Sequence, residues 1–529
     1  MERPHRNNIA FTAARNPDAI IAALAAFCLV YFGAPAVGLS PDSITYTSVA
    51  RSLCATGRPV EFDGQWLMDF PLGYPAFLSL IMTVTRVDPF QFGLVLNGIL
   101  FGILVFICLS GAKRNGFPLF LRCGYGLCLL FSTALLQVFG MLYSETLFIL
   151  CVALFFLACG RYGRTHGAKG LWGMAAATAL ACVTRYIGVT LLCMGVLLLL
   201  TDRSLPWRKR VLHLFLYGAG GSSLLAVNLA LNRVNQGYLT GDRLINHTPV
   251  LEHLQRFGST LIQWVHIFRH DSPFLCILCA IAFIGAAFLG AWFLWWRTRS
   301  RYSWTALGAL FTALYSIFLL VLATLTAFQP LDSRLLSPLV FPALGAAAGG
   351  ILSIMRRLRE RRSLMHHVYM PSPGPSQRSR TLPVAWAFIG LAVFILLFQS
   401  LVKEYSYLQH PEQVYQDHIR YDFSHYRQSP TLQFIDAHPG LFHSDKPIYS
   451  NAGEVLYVLC GLESEYLPRL DIPEEIRAFN DDTAYLVWIN DLHVYQDDYL
   501  PGLRRSSSLA PLYSFPDGLI YAVLPVTGK

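Results

Sequence analysis

The chain has 529 residues, of which 54% are hydrophobic and only 14% charged, with a formal net charge of +9. A soluble protein carries about 25% charged residues, so this composition excludes an ordinary globular protein. Apolar runs of roughly 20 residues recur, long enough to cross a hydrocarbon core of about 30 Å. The basic surplus sits in short loops between them, which points to membrane topology and away from nucleic-acid binding.

The first run covers 18–39, behind Arg3, Arg6 and Arg15. Cations followed by an apolar run also mark a signal peptide, but this run is longer than usual and shows no cleavage site, so it reads as a retained helix. Further spans are expected at 90–112, 117–136, 144–160, 170–187, 188–201, 211–231, 273–296, 303–327, 335–355 and 383–402, about eleven in all. The stretch 74–85 is too short for an ordinary crossing and reads as a juxtamembrane or re-entrant helix. Lys113 and Arg114, Arg161, Arg164 and Lys169, Arg203, Arg208, Lys209 and Arg210, Arg297, Arg299 and Arg301, and the run from Arg356 to Arg380 then share one side. Short basic loops stay in the cytoplasm, so the N-terminus is expected inside and the C-terminus outside.

The expected fold class is an all-α polytopic membrane protein, residues 1–402, with a small extracytoplasmic α/β domain, 403–529. In that tail KPIYSN, AYLVWI and GLIYAVL read as short strands. AGEVLYVLCG reads as a helix stopped by Gly461. Asn451 ends a strand, where ligand-facing residues of α/β folds lie, a fold-level analogy. Residues 356–381, with MPSPGPSQRSR, read as a flexible basic linker. Three outer segments can hold chemistry: 40–89, 232–272 and the tail. All cysteines but Cys54 and Cys460 lie in or beside apolar spans. Those two could pair in an oxidising compartment or remain thiols.

The outer segment 40–89 is the most informative. It opens SPDSITYTSVARSL, where a helix would put Asp42, Tyr46 and Ala50 on one face. Asp42 could also be no more than the N-cap of that helix. The chain continues CATGRPVEFDGQWLMDFPLGYPAFLSLI, adding an Asp63-Gly64 turn, Asp69 and a proline-fixed entry to an apolar helix. Acids and aromatics held at a bilayer surface suit catalysis on a lipid-borne substrate. Glu145 lies within an apolar run, where an ionisable group is costly and usually functional.

The stretch D-S-I-T-Y-T-S-V-A-R-S-L resembles the first outer loop of the GT-C glycosyltransferase superfamily, nearest its protein O-mannosyltransferase and lipid A aminoarabinose transferase branch. FPLGYP (70–75), YSETLF (143–148), TRYIG (184–188) and SRLLSPLVFPAL (333–344) resemble later motifs of that branch, in order, over roughly residues 18–355. The sequence departs at Ser43, where many members carry a second acid. It departs again at Phe70 and Thr146, which replace prolines, and at Gly73, inserted before Tyr74.

The resemblance implies an inner-membrane enzyme that moves a sugar, with inversion, from a polyprenyl-phosphate-linked donor to a glycan, lipid or protein acceptor on the outer face. Asp42 would be the general base. Asp69 would be a second acid or a helix cap, and Glu145 a direct or bracing acid. The leaving phosphate needs cations, for which Arg58, Arg86, Arg185 and Arg334 are candidates; Asp332 is a rival partner for Arg334. Tyr46, Tyr74 and His247 are substrate-binding candidates, the two tyrosines being equally readable as interfacial aromatics. Membrane lipid is an expected partner and nucleic acid is not. The reaction admits a divalent cation between carboxylates as cofactor, but no metal-ligand spacing in the sequence demands one. Two rival classes are a transporter or flippase of lipid-linked saccharides, and a polysaccharide polymerase or ligase working through 232–272 with Arg243 and His247.

Overall fold

The structure is a computed structural model. It describes residues 16–32, 37–241, 246, 248–265, 272–297, 301–326, 330–369, 426–438, 440–443, 445–481, 483–490 and 499–525. These form two compact units. One comprises the membrane helices with Met68–Tyr74; the other gathers Gly38–Leu67 and Pro75–Pro89 with the C-terminal tail.

Helices follow the apolar runs closely. α1 (Pro17–Phe32) leads into α2 (Pro41–Thr56) and α3 (Gly73–Thr85). α4 (Pro89–Arg114) is followed by the pair α5 (Leu119–Leu130) and α6 (Thr133–Phe139), then α7 (Ser144–Thr165), α8 (Ala168–Thr184), α9 (Val189–Thr201) and α10 (Trp207–Gln236). α11 (Val250–Val265), α12 (Pro273–Arg297), α13 (Trp304–Leu325), the short α14 (Ser333–Leu336) and α15 (Val340–Tyr369) complete the membrane unit. Each of the first ten expected spans coincides with a helix or a broken helix; 383–402 lies outside the described residues. By length and hydropathy, six described helices can cross a membrane alone. They rise to seven if α5 and α6, bent by 53°, count as one span. The pieces α1, α3 and Tyr186–Thr201 are apolar but shorter. The chain is an integral membrane protein.

α2 corrects one sequence expectation. Its N-cap is Ser40, not Asp42: Ser40 is extended, its hydroxyl accepts from the Ser43 amide, and Ser43 Oγ accepts from the Ser40 amide at 3.1 Å. Such reciprocal capping satisfies two donors that the helix start leaves over, and Pro41 at the first turn has no donor to lose. Asp42 is thereby left half-buried in the first turn, beside the positive end of the helix.

The tail carries one four-stranded sheet in the order β1 (Ile448–Ser450), β2 (Ala484–Ile489), β4 (Gly518–Leu524), β3 (Ser508–Phe515). β1 runs parallel to β2, and the other pairings are antiparallel. Leu486, Phe479, Leu503 and Val523 form its core. The expected helix is present as α17 (Gly453–Cys460), preceded by α16 (Pro430–Ala437), and Gly461 closes it in the left-handed region with φ 66°. Cys54 and Cys460 are both free thiols. Asn451 is buried, donates to the Ile489 carbonyl at 2.7 Å and accepts from the Ile489 amide at 2.9 Å, tying the end of β1 to β2.

Candidate active site

α7 begins where Tyr143, extended at φ −111°, ends a short turn; no side chain caps it. Glu145 therefore falls in the first turn, where the helix dipole favours a carboxylate. It is 1% exposed, and an isolated buried carboxylate would be strongly destabilising.

Two arginines compensate it. Arg185 Nη1 lies 2.5 Å from Glu145 Oε1, and Arg334 Nε donates to the same oxygen at 2.6 Å. Ser144 Oγ donates to the other oxygen at 3.4 Å and accepts from Arg185 Nη1 at 3.1 Å. The Arg334 guanidinium lies 3.9 Å from the centroid of the Tyr143 ring, a stacked cation–π placement. Four consecutive positions, Tyr143 to Thr146, thus build the floor: the Thr146 hydroxyl donates back to the Tyr143 carbonyl at 2.8 Å and secures the turn.

Each arginine is aimed by backbone geometry. Arg185 is an extended residue between α8 and the 3-10 turn Tyr186–Gly188 that leads into α9. That turn folds onto the end of α8 so closely that a Cβ on Gly188 would meet the Ala181 carbonyl carbon at 2.5 Å, so only glycine fits. Arg334 sits in α14, whose N-cap is Asp332: the carboxylate accepts from the Leu335 amide at 3.0 Å. Asp332 therefore caps the helix, and Arg334 pairs with Glu145. Trp264 Nε1 donates to Ser333 Oγ at 2.6 Å and the Tyr315 hydroxyl to the Leu335 carbonyl at 3.0 Å, fixing α14 from α11 and α13.

The segment Met68–Tyr74 lies alongside. The Tyr186 hydroxyl donates to the Met68 carbonyl at 3.3 Å, and the Leu72 amide to Asn228 Oδ1 at 2.9 Å. A Cβ on Gly73 would fall 2.5 Å from the Val183 carbonyl oxygen, which explains the glycine standing before Tyr74. Tyr74 is fully buried, with Thr146 and Glu145 beside its hydroxyl. Asp69 is exposed and packs against Gly241. Of the sequence candidates, Glu145, Arg185, Arg334 and Tyr74 thus come together. Ser144 and Tyr143 belong to the same cluster and were missed; the signal was their adjacency to an acid in an apolar run.

The remaining candidates lie on other elements. Asp42 and Tyr46 lie on α2, Tyr46 at 1% exposure. Arg58 is exposed just past the left-handed Gly57 that ends α2, and Arg86 is exposed at φ 60°. In the same unit Arg51 Nε donates to Asp88 Oδ2 at 2.8 Å, and its Nη1 to the Tyr457 hydroxyl at 3.3 Å. His247 and Arg243 lie outside the described residues. Among the described residues no group of three His, Cys, Asp or Glu could hold a metal ion.

The other end of α7 is built from different chemistry. His166 caps it at φ 47°. Its Nε2 lies 3.0 Å from Asp202 Oδ2 and 3.0 Å from Ser204 Oγ, and the Tyr302 hydroxyl donates to Asp202 Oδ2 at 2.8 Å. The Ser204 amide and hydroxyl both donate to Asp202 Oδ1. Burial pushes the Asp202 carboxyl upward, but the Ser204 and Tyr302 donors and the His166 ring outweigh it and hold it below the usual carboxylate value. Burial and the Asp202 charge together push the Tyr302 hydroxyl well above its ordinary value.

No protein-family model and no curated protein matches the sequence. Solved structures do. The crystal structure of ArnT from Cupriavidus metallidurans in the apo state aligns with a TM-score of 0.55 at 14% identity, over 96% of this chain and 98% of that one. The same protein bound to undecaprenyl phosphate aligns with a TM-score of 0.56 at 16% identity, over 95% and 97%. The chain has the GT-C fold.

Proposed function

We propose that this chain, on its GT-C fold, is a glycosyltransferase that moves a sugar from a polyprenyl-phosphate-linked donor to an acceptor hydroxyl at the outer membrane surface. The observation that carries the reading is the arginine pair on Glu145: two guanidinium groups oriented by one buried carboxylate oxygen. The two guanidinium groups stand in a poorly solvated place, 18% and 11% exposed. A phosphate developing charge as the glycosidic bond breaks would meet their donors there, and preorganised donors of this kind do most for a transition state. Arginine suits the task because its planar fork matches phosphate oxygens and never deprotonates. Glu145 in this account is a positioning residue that aims both forks. The ArnT structure that aligns with this chain holds undecaprenyl phosphate, which supports the class of donor.

The acceptor proton needs a base. Asp42, half-buried in the first turn of α2, takes that role: its carboxylate removes the hydroxyl proton as the oxygen attacks the anomeric carbon, and the polyprenyl phosphate leaves. Positioned bases contribute about 10²–10⁴-fold. The test uses the purified full chain with a polyprenyl-phosphate sugar and a panel of glycan, lipid and protein acceptors. Arg334→Lys should weaken donor turnover while undecaprenyl phosphate still binds, and Asp42→Asn should abolish transfer without changing that binding. Full activity in Asp42→Asn together with loss in Arg243→Ala or His247→Ala would instead favour chemistry in the loop 232–272.

A further inference from the structure

A second ligand site follows from the groove between α12, α13 and α15. It encloses about 430 Å³, within the range of about 300–1,000 Å³ typical of ligand pockets. Gly290, Ala309, Ala347 and Gly350 line it, Phe293 stands near one end, and Arg357 closes that end with its guanidinium 5.3 Å from the Phe293 ring centroid.

Small residues in membrane helices usually let backbones approach closely. Neighbouring positions on these helices do so: a Cβ on Gly349 would collide with Thr305, and one on Gly308 would fall 2.5 Å from the Pro342 carbonyl oxygen. Gly350 differs, because a Cβ there would meet nothing within 4 Å. The helices touch at one glycine and stand apart at the next, so the volume is held open by the packing on its flank. An open apolar volume in a bilayer is filled by hydrocarbon.

Its charged end selects the occupant. Arg357 lies where α12 ends and α13 begins, together with Arg301, whose guanidinium is 5.3 Å from the Trp295 ring centroid. By the distribution of basic loops this is the cytoplasmic interface, where the anionic leaflet attracts such cations. We propose that the groove binds one acyl chain of an anionic glycerophospholipid whose phosphate is held by Arg357. The site takes no part in the transfer reaction; its occupant fills the gap between α12 and the α13–α15 pair.

Native mass spectrometry of the full chain in detergent tests this, with phosphatidylglycerol and phosphatidylcholine of identical chains as probes. The wild type should retain phosphatidylglycerol about fivefold better, the effect of one arginine at an anionic surface. Arg357→Glu should erase that preference. Gly350→Leu, which places its side chain in the open volume, should reduce retention of both lipids. Equal retention of the two lipids by the wild type, or an undiminished preference in Arg357→Glu, overturns the proposal. So does displacement of phosphatidylglycerol by undecaprenyl phosphate at equal concentration, since the groove would then serve the carrier. Should Arg357→Glu misfold, Arg357→Gln and Gly350→Leu carry the same two readouts.

Discussion

α7 ends in a buried acid network at each terminus, and the two differ in the kind of partner that holds the acid. At its start, Glu145 faces two guanidinium groups. At its end, Asp202 is matched by a histidine and by neutral hydroxyl and amide donors drawn from the chain itself. In the second network His166 and Tyr302 join the loops after α7 and α12 to the loop after α9, and Ser204 braces Asp202 within that loop. The first is built on two guanidinium groups. A helix of this length, about 33 Å at 1.5 Å per residue, thus carries an arginine-paired acid at one end and an acid held by a histidine and neutral donors at the other. Burial of an acid alone would not tell them apart; the charge of its partners does.

The largest effect that can break this comparison is on Glu145. Removing one member of a buried ion pair costs about 3–5 kcal/mol because the partner charge is left behind. Glu145→Ala should therefore lower the thermal midpoint of the detergent-solubilised protein strongly, and added undecaprenyl phosphate should restore part of the loss by binding the two arginines. A midpoint indifferent to the carrier would mean that the arginines do not receive phosphate.

Next comes Arg334→Lys, which keeps the charge and loses the planar fork. The expected loss is about 10²–10³ in turnover, the size seen when one transition-state donor is removed, with little change in stability because the Lys ammonium can still reach Glu145. Asp202→Asn should do the opposite, leaving turnover near wild type. An equal fall in turnover for both would erase the distinction drawn between the two ends.

Asp202 also fixes a pH dependence. Its folded carboxyl is held below the ordinary value, so its contribution is present above about pH 4, the unfolded carboxylate range. That contribution is lost as pH falls through the folded value. Hydrogen bonds to a charged group are worth about 1.5–3 kcal/mol. Thermal midpoints of wild type and Asp202→Asn should thus differ most near pH 6–7 and converge toward pH 3. A gap that widens on acidification would contradict the assignment.

Much of this was readable before any coordinates, and the failures have identifiable causes. Helix positions followed from apolar runs, because a bilayer forces long hydrogen-bonded segments. Glu145, Arg185 and Arg334 could each be singled out, as charges within or at the margins of apolar runs. Their union could not: they come from α7, the α8–α9 turn and α14, far apart in sequence. Asp332 was ambiguous because it neighbours Arg334; its backbone is extended and its carboxylate faces the amides of α14. Asp42 was similarly ambiguous as a cap until Ser40 was seen in that place. In the tail β3 was missed because Pro511 interrupts it; as the outermost strand of the sheet it tolerates a residue with no donor, and its register shifts between Pro511 and Tyr513.

The smallest predicted effect supplies the calibration. Arg51 and Asp88 form the same kind of arginine–carboxylate pair, at 2.8 Å, but their side chains are 30% and 26% exposed. Water competes for both groups there, so such a pair is worth only about 0.2–1 kcal/mol. Asp88→Asn should shift the thermal midpoint slightly and lose that shift in high salt. Glu145→Ala should stay salt-insensitive, since a buried pair is poorly screened. Identical chemistry at nearly identical distance would then differ several-fold in energy, with burial as the cause. A large, salt-insensitive loss in Asp88→Asn would show that distance alone sets the strength, and the weight placed on the buried position of Glu145 would have to be withdrawn.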